Sequence, residues 1–306
     1  MEEAVRQSIR QEYADALAEG RPPRFSQQEL AVSVKVAEEL LERGELEIAA
    51  HAVRGLHEAC PDLAWAKTVM ELFEIMPAAD PDAPRFCDDY PKPLQVVPRQ
   101  GAETALLVFC GASHRIGMPL TMFHRWLARL PVSLVYLRDL RELCYLGGIK
   151  DLGGDLSSTV SALGGLVQDL GARRIVCYGN SVGGYGALRY GLDLAADAVI
   201  CMGGLINLDA AFNRHLRYAN TARTVETAFP EAQFDLRELY RRAEARPRCW
   251  LVYGERNWDD RIHARYMTGL DGVTLKQIDG YRGHNGALEL IHAGRFDELL
   301  QLAMAS

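Results

Sequence analysis

The chain has 306 residues, with 41 acidic and 34 basic side chains and a net charge of -7 at pH 7. Its length suffices to bury the core of one large domain plus a smaller accessory unit, and its acidic balance argues against nucleic acid as the partner. No apolar run approaches the roughly 18 to 20 residues of a membrane span, and the opening Met-Glu-Glu-Ala-Val-Arg-Gln lacks the basic-then-apolar order of a secretory signal. Seven cysteines (60, 87, 110, 144, 177, 201 and 249) form an odd set with no CxxC or CxxxC pair. Four of them, Cys110, Cys177, Cys201 and Cys249, stand in apolar strand-like runs, where cysteine behaves as a small buried hydrophobe. The expectation is a cytoplasmic protein with no disulfide framework, no metal and no cofactor.

The N-terminal 60 residues carry 12 acidic and 7 basic side chains, so most of the charge excess lies there. Residues 1 to 19 read as a short acidic helix ended by Gly20-Arg21-Pro22-Pro23. Ser26-Gln27-Gln28-Glu29 then has the Ser-x-x-Glu capping-box pattern, followed by Leu30, Val34, Ala37, Leu40 and Leu41 at helical spacing and a stop at Arg43-Gly44. A second helix is predicted from Leu46 to Ala59, presenting Ala49, Ala50, Val53 and Leu56, and a third from Leu63 to Ile75. The stretch Ala37 to Gly44 with Ala49, Ala50 and Pro61 resembles a single tetratricopeptide-type hairpin, although no second copy is present. Because such repeats need about three copies to stand alone, the region, residues 1 to 76, is expected to pack on its neighbour, on a second copy of the chain in a homodimer, or on a protein partner. Residues 77 to 103, with prolines at 77, 81, 84, 91, 93 and 98, read as a stiff linker with an edge strand near Leu94 to Val97.

From Ala105 the texture changes. Short apolar runs at Ala105–Cys110, Leu134–Leu137, Ile175–Tyr178, Ala198–Met202, Trp250–Tyr253 and Val273–Ile278 alternate with helical stretches near 118 to 129, 155 to 170, 184 to 195, 261 to 269 and 296 to 304. Near-continuous apolar strands separated by helices predict an α/β domain over residues 104 to 306, with a mostly parallel sheet covered on both faces. The connection from about 205 to 247 is too long for a simple crossover and has helical character, including His215, Tyr218 and Tyr240. Its seven arginines are nearly offset by acidic residues, so a solvated face is expected there and not an anion site.

The strongest chemical signal lies at Gly179-Asn180-Ser181-Val182-Gly183-Gly184, which ends an apolar strand and opens a helix. Glycine two before and two after the serine removes Cβ atoms where strand and helix crowd, so the serine can stand in a strained turn with Oγ exposed. Backbone N–H groups at the helix start then face any charge developing beside that oxygen. This segment resembles the nucleophile elbow of the α/β-hydrolase superfamily. The resemblance implies the α/β-hydrolase fold with a small helical lid at about 205 to 247 and an N-terminal all-helical extension. It also implies a serine nucleophile, Ser181, and a small-molecule acyl substrate. No GxGxxG with its distant acidic partner and no GxxxxGK[ST] is present, so a phosphate cradle is not expected.

A serine hydroxyl needs a base and the base needs an orienting group; in this superfamily they follow in the order acid, then histidine. His284, in Asp279-Gly-Tyr-Arg-Gly-His-Asn-Gly286 after the last predicted strand, is the candidate base. After Trp250-Leu-Val-Tyr-Gly254 the superfamily usually places its aspartate three residues beyond the glycine, and here that position is Asn257. Asp260 is the preferred acid, Asp259 the next, and Asn257 orienting a neutral imidazole a third possibility. The same departure leaves open a non-catalytic scaffold that holds a partner through its N-terminal helices. The resemblance implies oxyanion donors at the backbone N–H groups of Val182 and Ala112. Ser113, His114, Asp139, Tyr145 and Tyr185 are candidate substrate-pocket residues, and Arg138 is read as either a pocket or an ion-pair residue. Hydrolysis and acyl transfer share their first half-reaction, so either an esterase, a thioesterase or an acyltransferase fits.

Overall fold

The computed structural model describes residues 2–80 and 83–305 and divides into two compact units: residues 1–90 with 119–129, and residues 91–118 with 130–306. No helix among the described residues is long and apolar enough to cross a membrane.

The first unit is helical. It holds α1 (Glu2–Glu19), α2 (Leu30–Glu42), α3 (Leu46–Ala59), α4 (Ala64–Ile75) and, returning later in the chain, α5 (Leu120–Leu127). One half of the capping box forms at Ser26: Glu29 Oε2 accepts from Ser26 N at 2.9 Å and from its hydroxyl at 2.7 Å, and a short 3₁₀ turn, Gln27–Glu29, precedes α2. At the other end Gly44 takes φ +73°, with its N–H on Leu41 O and that of Glu45 on Leu40 O, both at 3.0 Å. This is a Schellman cap, available because glycine has no Cβ to strain the left-handed conformation. Val36, Ala37, Leu40 and Leu41 of α2 and Ala49, Ala52, Val53 and Leu56 of α3 are buried, the helical spacing of a core-facing stripe. Thr121 of α5 donates to Leu41 O at 2.5 Å, and the His124 ring stacks on Phe86 at 5.0 Å, so α5 belongs to this helical core.

The second unit is a seven-stranded sheet in the order β1-β3-β2-β4-β5-β6-β7. β1 (Leu94–Val97) pairs antiparallel with β3 (Val132–Leu137), forming the predicted edge strand. β2 (Thr104–Phe109), β3, β4 (Arg174–Asn180), β5 (Ala198–Met202), β6 (Arg248–Gly254) and β7 (Val273–Ile278) are all parallel. Every residue of β2, β3 and β5 is buried, as expected for strands covered on both faces. The helices of this unit are α6 (Leu156–Asp169), α7 (Val182–Asp193), α8 (Ala210–Asn213), α9 (Ala219–Ala228), α10 (Leu236–Arg242), α11 (Trp258–Tyr266), α12 (Gly286–His292) and α13 (Phe296–Met304). The sequence pattern had given no helix at α12. α8, α9 and α10 occupy the long β5–β6 connection, and α6 opens on a capping box between Asp155 and Ser158.

Strand order reverses at β2, whose neighbours are β3 on one side and β4 on the other. In an open parallel sheet that reversal opens a crevice beyond the strand C-termini, because the loops leaving β2 and β4 diverge. The loop after β2 carries Ala112, and the turn after β4 carries Ser181.

Candidate active site

Ser181 connects β4 to α7 with φ 55° and ψ -125°, a backbone region that costs a residue with a Cβ on the order of 1–3 kcal/mol. The packing around it maintains the turn. A Cβ on Gly179 would lie 2.0 Å from Gly183 O, and one on Gly183 would lie 2.2 Å from Phe109 O, so any side chain at either position would drive strand and helix apart. The Ser181 N–H is held by Met202 O at 2.9 Å, and its carbonyl by Gly184 N at 2.9 Å. Val182 is the first residue of α7. The first amides of an α-helix have no partner within the helix.

His284 sits in the loop between β7 and α12. Its Nδ1 lies 2.8 Å from Asp260 Oδ2 and 2.9 Å from Oδ1, while the Asp260 side chain is 1% exposed and that of His284 28%. The loop is tied down from several sides: Asn257 Nδ2 donates to Gly283 O at 3.1 Å, Asn285 Nδ2 to Gly117 O at 2.8 Å, and Tyr281 OH to Asn285 O at 3.1 Å. Asn257 also caps α11, its side chain accepting from Asp260 N at 3.2 Å. An aspartate could accept the same bond, so the feature particular to Asn257 is the Nδ2 donation to Gly283 O. Asp260 stands three residues on, in the first turn of α11, where the helix dipole favours an anion. Asp259, one residue earlier and about 100° round the helix, points elsewhere: its Oδ1 accepts from the backbone N of Arg217 at 3.2 Å, and it makes no contact with His284.

Two residues of the β5–β6 connection enter the site. The Tyr218 hydroxyl lies 3.0 Å from His284 Nε2 and 3.4 Å from Ser181 Oγ. Arg217 Nη2 reaches that hydroxyl at 2.6 Å, Asp260 Oδ1 at 2.9 Å, and His284 Nδ1 in close contact, with its guanidinium 4.7 Å over the Tyr218 ring. Burial pushes the Tyr218 phenol up to about 12, keeping it protonated at neutral pH. Behind it, His263 is fully buried, with Nδ1 accepting from Ile206 N at 3.1 Å and its ring 6.0 Å from that of Tyr218. Burial lowers His263 to about 3, so it is neutral and Nε2 carries the proton.

The strained turn after β4, the strand-order reversal at β2 and the long helical β5–β6 connection occur together in one known architecture. An inhibited esterase B of Lactobacillus rhamnosis superposes on 79% of this chain and 94% of its own with a TM-score of 0.50 at 12% identity. The fold is the α/β-hydrolase fold. MenH of S. aureus also aligns, at 12% identity over 69% of this chain and 97% of its own with a TM-score of 0.48. No protein-family model matches the sequence, and no curated protein matches it.

Several expected pocket residues turn out to be structural. Tyr145 is 1% exposed, its hydroxyl 2.7 Å from Cys110 O and 3.0 Å from Leu137 O, so it ties together the C-termini of β2 and β3 and is not offered to a substrate. Tyr185 is fully buried in the core of the sheet unit. Asp139 accepts from the backbone N of Tyr145 at 2.8 Å and of Arg141 at 3.1 Å; burial raises its carboxyl above the ordinary range. Arg138, fully buried, donates to His114 O, Lys92 O and Gln95 Oε1. Of this group Ser113 is exposed and His114 half-buried with φ 58°, both on the loop after β2. Among the described residues no group of three or more His, Cys, Asp and Glu side chains is placed to hold a metal ion.

Sequence reasoning missed Arg217, Tyr218 and Gly203. Gly203, at the end of β5, has φ +53°, and a Cβ there would stand 2.9 Å from Asp260 Oδ2 and 2.9 Å from His284 Nδ1. The only sequence signal for it was a paired Gly-Gly after an apolar run.

Proposed function

We propose that the protein is a serine hydrolase of esters or thioesters, with Ser181 as nucleophile, His284 as base and Asp260 as the acid that orients it. The observation that carries the reading is the strained Ser181 turn at the start of α7 beside a His284–Asp260 pair closed at 2.8 Å. Attack of Ser181 Oγ on the carbonyl carbon forms an acyl-enzyme through a tetrahedral oxyanion, for which the amides of Val182 and Ala112 are the donors. Water then releases the acid, or an acceptor hydroxyl, thiol or amine takes the acyl group. Since β5–β6 contributes Arg217 and Tyr218 to the site, we assign α8 to α10 the role of a lid that shapes the substrate's binding site.

A fluorophosphonate probe tests this. It is expected to label the wild type and to spare Ser181→Ala, while p-nitrophenyl esters of graded chain length report turnover and acyl preference. Labelling that persists in Ser181→Ala would sink the assignment of the nucleophile.

We further infer that α2 and α3 form a lone tetratricopeptide-like hairpin that takes part in association. In support of the hairpin, α2 and α3 are joined by a short turn through Gly44 and bury Val36, Leu40, Val53 and Leu56. Sedimentation of the full chain against one carrying surface charge substitutions on α2 and α3 is the measurement; identical monomeric sedimentation of both would exclude self-association.

A further inference from the structure

Ser181 Oγ and His284 Nε2 share no hydrogen bond among the described residues; the Tyr218 hydroxyl lies between them, 3.4 Å from the one and 3.0 Å from the other. Donors and acceptors in this group can be assigned. His284 Nδ1 faces both oxygens of a buried carboxylate, so it carries the hydrogen and Nε2 holds a lone pair. A lone pair 3.0 Å from a phenol takes that phenol's only proton, so Tyr218 donates to Nε2. The Tyr218 oxygen is then left as an acceptor, and it receives Arg217 Nη2 at 2.6 Å and the Ser181 hydroxyl. Arg217 Nη2 has two hydrogens, used on Asp260 Oδ1 and on Tyr218. Its close approach to Nδ1 is that of two donors converging on one carboxylate.

We propose that Tyr218 is a catalytic residue that relays the proton from Ser181 to His284. The inference rests on the serine-hydrolase reading. As Ser181 Oγ bonds to the carbonyl carbon, the carbonyl π pair moves onto oxygen. The serine proton passes to the Tyr218 oxygen as the tyrosine's own proton passes to Nε2. Tyr218 ends as it began, and one positive charge has moved onto an imidazole paired with Asp260. When the tetrahedral intermediate collapses, the bond to the leaving group breaks and its oxygen or sulfur takes the proton back from His284 by the same hydroxyl. Arg217 holds the phenol oxygen in place and stabilises the negative charge that builds on it during transfer, through a charge-assisted bond. A base acting through one intervening hydroxyl is geometrically equivalent to one acting through a single water, with the water's ordering already supplied by the lid.

The test is the second-order rate of fluorophosphonate labelling at Ser181 in wild type and Tyr218→Phe, measured in mixtures of H2O and D2O. Tyr218→Phe removes one oxygen and keeps the ring, and its circular dichroism and thermal midpoint establish that it folds. The expected result is a loss of about 10²-fold. The dependence on deuterium fraction should be curved in the wild type, where two protons move together, and linear in Tyr218→Phe. As a second variant, 3-fluorotyrosine at position 218 retains hydroxyl and packing but is a stronger acid, and its labelling rate should differ from that of the wild type. Labelling of Tyr218→Phe at the wild-type rate or faster would overturn the relay alone, because His284 would then be reaching Ser181 directly. A wild type that is never labelled would overturn the hydrolase reading and the relay with it.

Discussion

Gly203 and His284 lie so close that a methyl group on the glycine would stand 2.9 Å from the imidazole Nδ1. The same methyl would sit 2.9 Å from Asp260 Oδ2, so the end of β5 forms the floor on which the His284–Asp260 pair rests.

Gly203→Ala is therefore expected to strike the pair and to strain a left-handed backbone, costing about 1–2 kcal/mol of stability. A displacement near 1 Å of the imidazole should lower kcat/KM by about 10²-fold. Thermal unfolding and fluorophosphonate labelling measure the two effects separately. A folded variant with undiminished labelling would show that His284 is not used in the place where it rests.

The two neighbouring aspartates should separate cleanly. Asp260→Asn leaves the geometry but loses the charge that favours the Nδ1–H tautomer and the imidazolium, and a drop in kcat of about 10⁴-fold is expected. Asp259→Asn keeps an oxygen for the Arg217 amide and should retain most activity. Steady-state kinetics on one p-nitrophenyl ester suffice, and equal losses in both variants would contradict the assignment of Asp260.

Asn257 has two functions that substitution can divide. Asn257→Ala removes the cap of α11 and the tie to Gly283, with an expected loss of about 1–2 kcal/mol in denaturant unfolding. Asn257→Asp keeps the capping acceptor yet cannot donate to Gly283 O, so it should remain near wild-type stability while the His284 loop loosens and kcat falls. If both variants lose stability equally, the cap is not the larger contribution.

His263 predicts the acid limb of stability. Burial holds its imidazole at about 3, below the ordinary 6.5, so between those values the unfolded chain binds a proton that the folded chain does not. The fold therefore loses stability as pH falls below about 6.5 and is indifferent to this group above it. At pH 5 the loss from this residue is about 2 kcal/mol. Urea unfolding at pH 7.5 and pH 5 should show the drop, and His263→Asn, which keeps an acceptor for Ile206 N–H, should reduce it. An unchanged acid slope in that variant would place the titration elsewhere.

Much of the scaffold was legible beforehand because the signals are short-range. Each parallel strand appeared as an apolar run, and the α2 stop appeared as Arg43-Gly44 because the Schellman cap needs only its own residues. Ser181 appeared through glycines whose neighbours crowd them at 2.0 and 2.2 Å. α12 was missed because only seven residues of weak periodicity separate two loops. The arginines of the β5–β6 connection read as a solvated face by charge balance, and charge balance could not show that one of them, Arg217, turns onto Asp260.

By itself the sequence determined the alternation of strand and helix, the strained serine turn and the histidine loop, since period, close-packed glycine and loop chemistry act within a few residues along the chain. Only the tertiary structure decided that Asp260 and not Asp259 faces the imidazole, that Tyr145 and Tyr185 are core, and that Tyr218 stands between two groups 37 and 66 residues away from it. Those choices depend on helix phase and on where a long connection comes to rest, and neither is encoded in the spacing of neighbours.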